Sequence, residues 1–172
     1  MATRAYQELR GEATRVWDAF YAMFDFRPSM HRFPAIVEPT PSVTWSLTHL
    51  DDDPTEAGLD RLTQVVRDGF ASLVGEGSLL CLDWQHPCYR VWPSLVGPEN
   101  LDPPGRPGWP LSPYPDGDYH IYLAEDLRFG CFGHPWESSL CVFGAELLDM
   151  VAADLHPVLR HVIRRDGRPV TA

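Results

Sequence analysis

The 17 prolines of this 172-residue chain restrict regular secondary structure to a few windows, because proline breaks helices and is excluded from central strands. Eight of them fall between Pro93 and Pro115, so this segment is predicted to be one long irregular loop. A long irregular segment inside a compact domain is usually functional. Residues 93–115 are therefore the predicted lid or binding loop.

Three segments carry apolar residues at helical spacing. The first helix is predicted over residues 5–25, with a buried stripe that comprises Leu9, Ala13, Val16, Trp17, Phe20 and Phe24. The second is predicted over residues 54–74, with Asp53 as N-cap and Pro54 as its first residue. The third is predicted over residues 144–155. Each shows one apolar stripe, so each is expected to cover a sheet face or another helix.

Short apolar runs predict the strands of a sheet: SVTWSL, SLLCLDW, YHIYLA, RFGCFG and SLCVFG. SLLCLDW contains a continuous apolar run, which predicts a strand that is covered on both faces or is central in the sheet. The last three runs follow one another closely, as in an antiparallel meander. The tail PVLRHVIRRDG fits either a last strand or a helical turn. The predicted fold is a single α+β domain over residues 1–172, with an antiparallel sheet of four to six strands flanked by about three helices.

Composition excludes several classes of function. A formal charge of −10 would repel a phosphate backbone, so no nucleic-acid binding is predicted, and a basic protein partner or a small molecule is favoured. All 14 basic residues are Arg, which excludes lysine chemistry. No apolar leader or membrane-length apolar run is visible, so the protein is predicted to be cytoplasmic, with its four cysteines as buried thiols.

Two His-Pro segments, LDWQHPCYR and FGCFGHPWE, carry most of the potentially reactive side chains. His86, Cys88, Cys131 and His134 are chemically adequate zinc ligands. However, Cys131 and His134 are three positions apart in a predicted strand and point to opposite faces. No CxxC, HxxxH or HExxH pair is present, so neither a metal nor a cofactor is predicted.

A cysteine nucleophile is a second possibility, with Cys88 activated by His86 or His134 and oriented by Asp83, Asp118 or Glu137. The local signatures of cysteine hydrolases are missing, and burial beside aromatic residues disfavours a thiolate.

A purely structural role for the two His-Pro segments is favoured over a cysteine nucleophile. Proline forces both histidines into extended geometry, where each would end or bend a strand and bond locally to the backbone or a carboxylate.

Between these extremes lies a binding pocket with aromatic walls. We hypothesise that Trp84 and Trp136 come together as its walls, with His86 and His134 at its mouth and residues 93–115 passing over them. The candidate binding residues are Asp83, Trp84, His86, Tyr89, Arg90, Asp118, His134, Trp136 and Glu137. Arg90 and Glu137 each have a simpler explanation, since Arg90 could pair with Asp83 and Glu137 could be solvated.

The segments LDWQHPCYR and PDGDYHIYLAEDLRFGCFGHPWESSLCVFGAELL resemble a bacterial family of proteins of unknown function, family 2716. The resemblance runs from about Trp17 to Arg165. It implies no activity and no catalytic residue. It implies a shared framework that comprises Asp83, Trp84, Gln85, His86, Pro87, Asp116, Gly117, Asp118, Gly133, His134, Pro135 and Trp136. The arrangement also resembles small α+β immunity proteins that present an acidic face to a toxin, an analogy of fold alone.

Two functions follow as expectations. The first is a non-catalytic module that binds a protein partner or a small ligand, favoured by the acidic charge and the absence of a complete catalytic motif. The second is a hydrolase or transferase that uses His86 or His134 as general base in an aromatic pocket. The relative position of the two histidines discriminates between them.

Overall fold

The computed structural model describes residues 4–97 and 108–171, which form one antiparallel sheet and three helices. The helices are α1 (Ala13–Phe24), α2 (Ala57–Val74) and α3 (Ala145–Leu159). The strands are β1 (Tyr6–Glu8), β2 (Ser42–Ser46), β3 (Leu79–Asp83), β4 (Tyr89–Val91), β5 (His120–Ala124), β6 (Gly130–His134), β7 (Ser139–Phe143), β8 (Val162–Arg165) and β9 (Arg168–Pro169). Their order in the sheet is β1-β4-β3-β5-β6-β7-β2-β8-β9.

The α+β class, the single sheet and the β5-β6-β7 meander are confirmed. The predicted number of four to six strands is wrong, because the described residues contain nine. β8 lies in the tail, for which a last strand was one predicted alternative, whereas β1, β4 and β9 lie outside the predicted runs and have only two or three residues each. Strands this short carry too few side chains to show an alternating pattern, so tertiary pairing alone defines them.

The sheet separates two apolar layers. On one face α2 and α3 cover Leu79, Cys81 and Tyr122, together with other residues of that cluster. On the other face α1 and the segment after it cover Leu80, Leu82 and Phe132. Neighbouring residues of β3 therefore enter opposite layers, which confirms that this strand is covered on both faces.

Helix boundaries differ from the predicted ones for local reasons. The first helix begins at Ala13 and not near residue 5, because residues 6–8 pair with β4 instead. The second begins at Ala57, since Glu56 has φ 55° and interrupts the helix, while the Asp53 carboxylate accepts hydrogen bonds from the Thr55 amide and hydroxyl. The third continues through Pro157 to Leu159, because Leu155 and Leu159 are both buried against the sheet.

The tail is a β-hairpin, the strand alternative for this segment. Asp166 (φ 51°) and Gly167 (φ 73°) form its two-residue turn, which needs positive φ at both positions.

Gly167→Ala is expected to lower the free energy of unfolding by about 1–2 kcal/mol, the usual cost of a β-carbon in the left-handed region. Gly11→Ala is the matched control, because an added β-carbon there meets open space. Urea denaturation measures both, and equal effects would contradict the prediction.

No helix in the described residues is long and apolar enough to cross a membrane. Part of the predicted loop 93–115, residues 98–107, lies outside the described residues. Of the remainder, Pro93–Leu95 form a short 3₁₀ helix, and Trp109 and Leu111 pack against the layer of α2 and α3.

Candidate functional site

The two His-Pro segments flank one strand. β5 pairs with β3 on one side and with β6 on the other, so Asp83, His120 and Gly133 lie in one row across the sheet. β3 continues into the first His-Pro segment, and β6 ends at His134. Because both strands run antiparallel to β5, the two segments leave the sheet at the same end of its strands. The residues just before β5 therefore lie between them.

Tyr119 occupies this position between the segments. Its ring centroid lies 5.6 Å from that of Trp84 and 5.3 Å from that of Trp136, both at steep interplanar angles. Its hydroxyl accepts a hydrogen bond from the Ser29 amide and donates one to the Ser29 carbonyl. The two tryptophans thus share one neighbour. Tyr119 was not predicted as a site residue, although it directly follows the Pro-Asp-Gly-Asp turn.

Three side chains form an Asp–His–Asp cluster beside Trp84. The Nδ1 atom of His86 lies 3.2 Å from Asp83 Oδ1 and 3.4 Å from Asp118 Oδ2. The Asp83 carboxylate raises the pKa of His86, because it favours the imidazolium. Burial raises the pKa of Asp118, and the nearby charge of Asp83 raises it further. Two carboxylates and one exposed imidazole therefore face one another.

His134 lies inside the domain and not at a pocket mouth, so that prediction is wrong. Its side chain is 1% exposed and packs against the rings of Tyr119 and Phe33, each with its centroid at 4.8 Å. Nδ1 accepts a hydrogen bond from the Glu137 amide, and Nε2 has no hydrogen-bond partner among the described residues. Burial lowers the pKa of His134 to about 4, because the imidazolium would lose its hydration.

Glu137 belongs to a buried ionic network and is not simply solvated. The Arg164 guanidinium donates to both Glu137 oxygens, at 2.8 and 2.6 Å, and to both Glu38 oxygens, at 3.0 and 3.1 Å. The Thr44 hydroxyl donates to Glu38 and the Ser139 hydroxyl to Glu137. The guanidinium holds the pKa of Glu137 below its usual range although burial acts in the opposite direction. Sequence reasoning missed Glu38 and Arg164.

Tyr89 and Arg90 lie away from the other candidates. Tyr89 packs edge-to-face on Tyr6, on the layer of α2 and α3. Arg90 pairs with Glu12 and Glu125, and not with Asp83 as considered from the sequence.

The cysteines are free thiols and all four are buried. Burial raises the pKa of Cys88, and its Sγ is directed at the backbone carbonyls of Asp83 and His86, at 3.6 Å each. Burial raises the pKa of Cys131 to about 12. An un-ionised thiol bonded to carbonyl groups is a poor nucleophile, so the geometry gives no support to cysteine catalysis.

A groove opens beside Trp136, which we call the Trp136 groove. It has a volume of about 380 Å³ and is lined by Leu47, Asp51, Leu59, Tyr114, Pro115, Asp116, Gly117, Pro135, Trp136 and Ser138. The Trp136 side chain is 37% exposed, and Asp51 and Asp116 are exposed as well. Neither His86 nor His134 lines this groove. It joins the second His-Pro segment to the turn before β5.

The fold and the site define an α+β domain whose two His-Pro segments enclose the start of a central strand. The chain belongs to the family described as "Protein of unknown function (DUF2716)", whose model matches residues 9–148. The resemblance noted from the sequence is therefore confirmed, and the matched range contains both His-Pro segments.

Among curated proteins, the chain is similar to the "Uncharacterized protein YxiI" of Bacillus subtilis (strain 168). The two are 28% identical over 148 residues, which cover 81% of this chain and 87% of the relative. No solved structure matches the chain.

Proposed function

We propose that the protein is a non-catalytic binding module that receives a basic segment of a protein partner in the Trp136 groove. The observation that carries this proposal is the exposed indole of Trp136 in one groove with the carboxylates of Asp51 and Asp116. An arginine guanidinium stacks on an indole face and pairs with carboxylates, so these groups suit a cationic side chain.

The electrostatic field in the groove supports a cationic occupant. Burial raises the pKa of the Tyr114 hydroxyl, and the charges of Asp116, Glu56 and Asp60 raise it further. The described residues that line the groove include no Arg. With a formal charge of −10, the chain would also steer a basic partner toward itself over a distance.

The walls of the groove are held in place before any partner arrives. The Trp136 ring rests on Tyr119, which is fixed by two hydrogen bonds to Ser29. Pro115 and Pro135 restrict the backbone on both sides. A preorganised groove loses little conformational entropy on binding, and this is what a recognition surface requires.

The general-base alternative has less support from the geometry. His134 is buried and its pKa is lowered to about 4, so it is not placed to take a proton from a bound substrate. The partners of the His86 ring among the described residues are the carboxylates of Asp83 and Asp118 and the Trp84 backbone, and they include no hydroxyl or thiol nucleophile. A cytoplasmic location remains part of the proposal, and four free cysteines accord with it.

An oligoarginine peptide tests the groove. In ¹⁵N-labelled protein, we expect the Trp136 indole signal and the amides of residues 116–117 and 136–138 to shift on titration. The double variant Asp51→Asn/Asp116→Asn should bind the peptide about five to thirty times more weakly, because two exposed ion pairs contribute about 1–2 kcal/mol together.

A charge-matched control separates the groove from the general acidity of the surface. Asp18→Asn/Asp149→Asn removes two exposed carboxylates from α1 and α3. It should leave the peptide affinity within about twofold of wild type. Equal losses in both double variants, or shifts spread evenly over the surface, would refute the proposed groove.

A further inference from the structure

We propose that the Asp–His–Asp cluster binds a divalent first-row transition cation. Asp83, His86 and Asp118 each offer one ligand atom, and these three atoms lie within 4.8 Å of one another. The sequence analysis considered a different set, which included Cys88, Cys131 and His134. This inference does not depend on the partner of the Trp136 groove.

The separations suit one shared ion. Bonds of about 2.0–2.2 Å place adjacent ligand atoms about 3.0 Å apart in an octahedral shell and about 3.4 Å apart in a tetrahedral one. The two observed separations from His86 Nδ1 to the carboxylate oxygens are 3.2 and 3.4 Å. The third pair of ligand atoms, from Asp83 and Asp118, lies within 4.8 Å, so the two carboxylates would move toward each other on sharing the ion.

The backbone fixes the two segments that supply these ligands. The Trp84 amide donates to the Tyr119 carbonyl at 3.4 Å, which joins the segments directly. The His86 amide donates to the Asp83 carbonyl at 3.2 Å and closes the turn. The Tyr119 amide holds Asp118 Oδ1 at 2.7 Å, so that Oδ2 remains directed at His86. Each proposed ligand atom is therefore distinct from the atom that holds its residue in place.

Charge and access favour a cation here. In the described part of the chain, neither Asp83 nor Asp118 forms an ion pair with an arginine, and His86 is their shared partner. The side chains of Asp83 and Asp118 are 13% and 15% exposed, whereas His86 is 58% exposed. Water can therefore complete the coordination from the open side. One imidazole with two carboxylates suits Mn²⁺, Fe²⁺, Co²⁺ or Zn²⁺ better than Ca²⁺ or Mg²⁺.

Mn²⁺ is the probe, added to full-length ¹⁵N-labelled protein after removal of metals with a chelator. At about pH 7.5, where free imidazole is neutral, one Mn²⁺ per chain should broaden the amides of residues 83–86 and 117–120 first. Calorimetry with Zn²⁺ should give the same stoichiometry. His86→Gln and Asp118→Asn should each lower the binding affinity for both metals tenfold or more, because each substitution removes one of the three proposed ligands.

His31→Gln is the matched control, since His31 is exposed and lies outside the cluster. It should bind as wild type does. Thermal denaturation of the metal-free proteins verifies that each variant is folded. The proposal is overturned if broadening centres on other carboxylates, such as Asp51–Asp53, or if both variants keep wild-type affinity. Absence of binding at millimolar Mn²⁺ also overturns it and leaves His86 as a salt-bridge partner only.

Discussion

Replacing Arg164 with methionine is expected to lower the free energy of unfolding by about 3–5 kcal/mol, the usual cost of removing one partner from a buried ion pair. Arg164 and Glu38 are buried, and Glu137 is nearly so. Methionine preserves most of the packing volume but leaves two carboxylates without a counter-charge. The Glu38 and Glu137 carboxylates would remain buried near β2, β8 and the turn after β6.

Urea denaturation at neutral pH measures this loss. Arg165→Met is the matched control, because Arg165 is the exposed neighbour on the same strand and should change stability by less than about 0.5 kcal/mol. The triple variant Arg164→Met/Glu38→Gln/Glu137→Gln should regain much of the loss, since no buried charge remains. A loss under about 1 kcal/mol for Arg164→Met would show that water reaches the carboxylates.

This network also marks the limit of sequence analysis. The stripe of Val16, Phe20 and Phe24 was predictable, because helical periodicity reports burial on one side. The burial of β3 on both faces was predictable because its apolar run is continuous. Glu38 and Arg164, by contrast, are separated by 126 positions, and no local pattern relates them. Their pairing exists only because β8 lies beside β2 in the folded sheet.

Only part of the candidate site, likewise, could be predicted from the sequence. Trp84, His86 and Trp136 became candidates from their segments, because each segment interrupts a predicted strand at a His-Pro step beside aromatic residues. How deeply each of these side chains is buried could not be predicted from the sequence. His86 lies in a turn outside the sheet, whereas His134 is the last residue of a strand that is covered on both faces. The same dipeptide thus supplies one exposed and one buried imidazole, and tertiary packing decides which is which.

A second large effect is expected in the pH dependence of stability. The pKa of His134 is about 4 in the folded protein, against an ordinary value of 6.5, because burial disfavours the imidazolium. Above pH 6.5 the ring is neutral in both states and the full stability is present. As the pH falls from 6.5 to 4, His134 becomes protonated in the unfolded chain but stays largely neutral in the folded protein. Stability should then fall by about 3 kcal/mol, at 1.36 kcal/mol for each pKa unit.

His134→Asn isolates this contribution. The asparagine Oδ1 can accept the Glu137 amide hydrogen bond in place of Nδ1, but it does not titrate. The difference in unfolding free energy between wild type and His134→Asn should shrink by about 3 kcal/mol between pH 7.5 and pH 4. Carboxylates that titrate in the same range contribute to both proteins and cancel. A constant difference for His134→Asn would mean that solvent reaches this ring and that the aromatic residues around Tyr119 do not seal it.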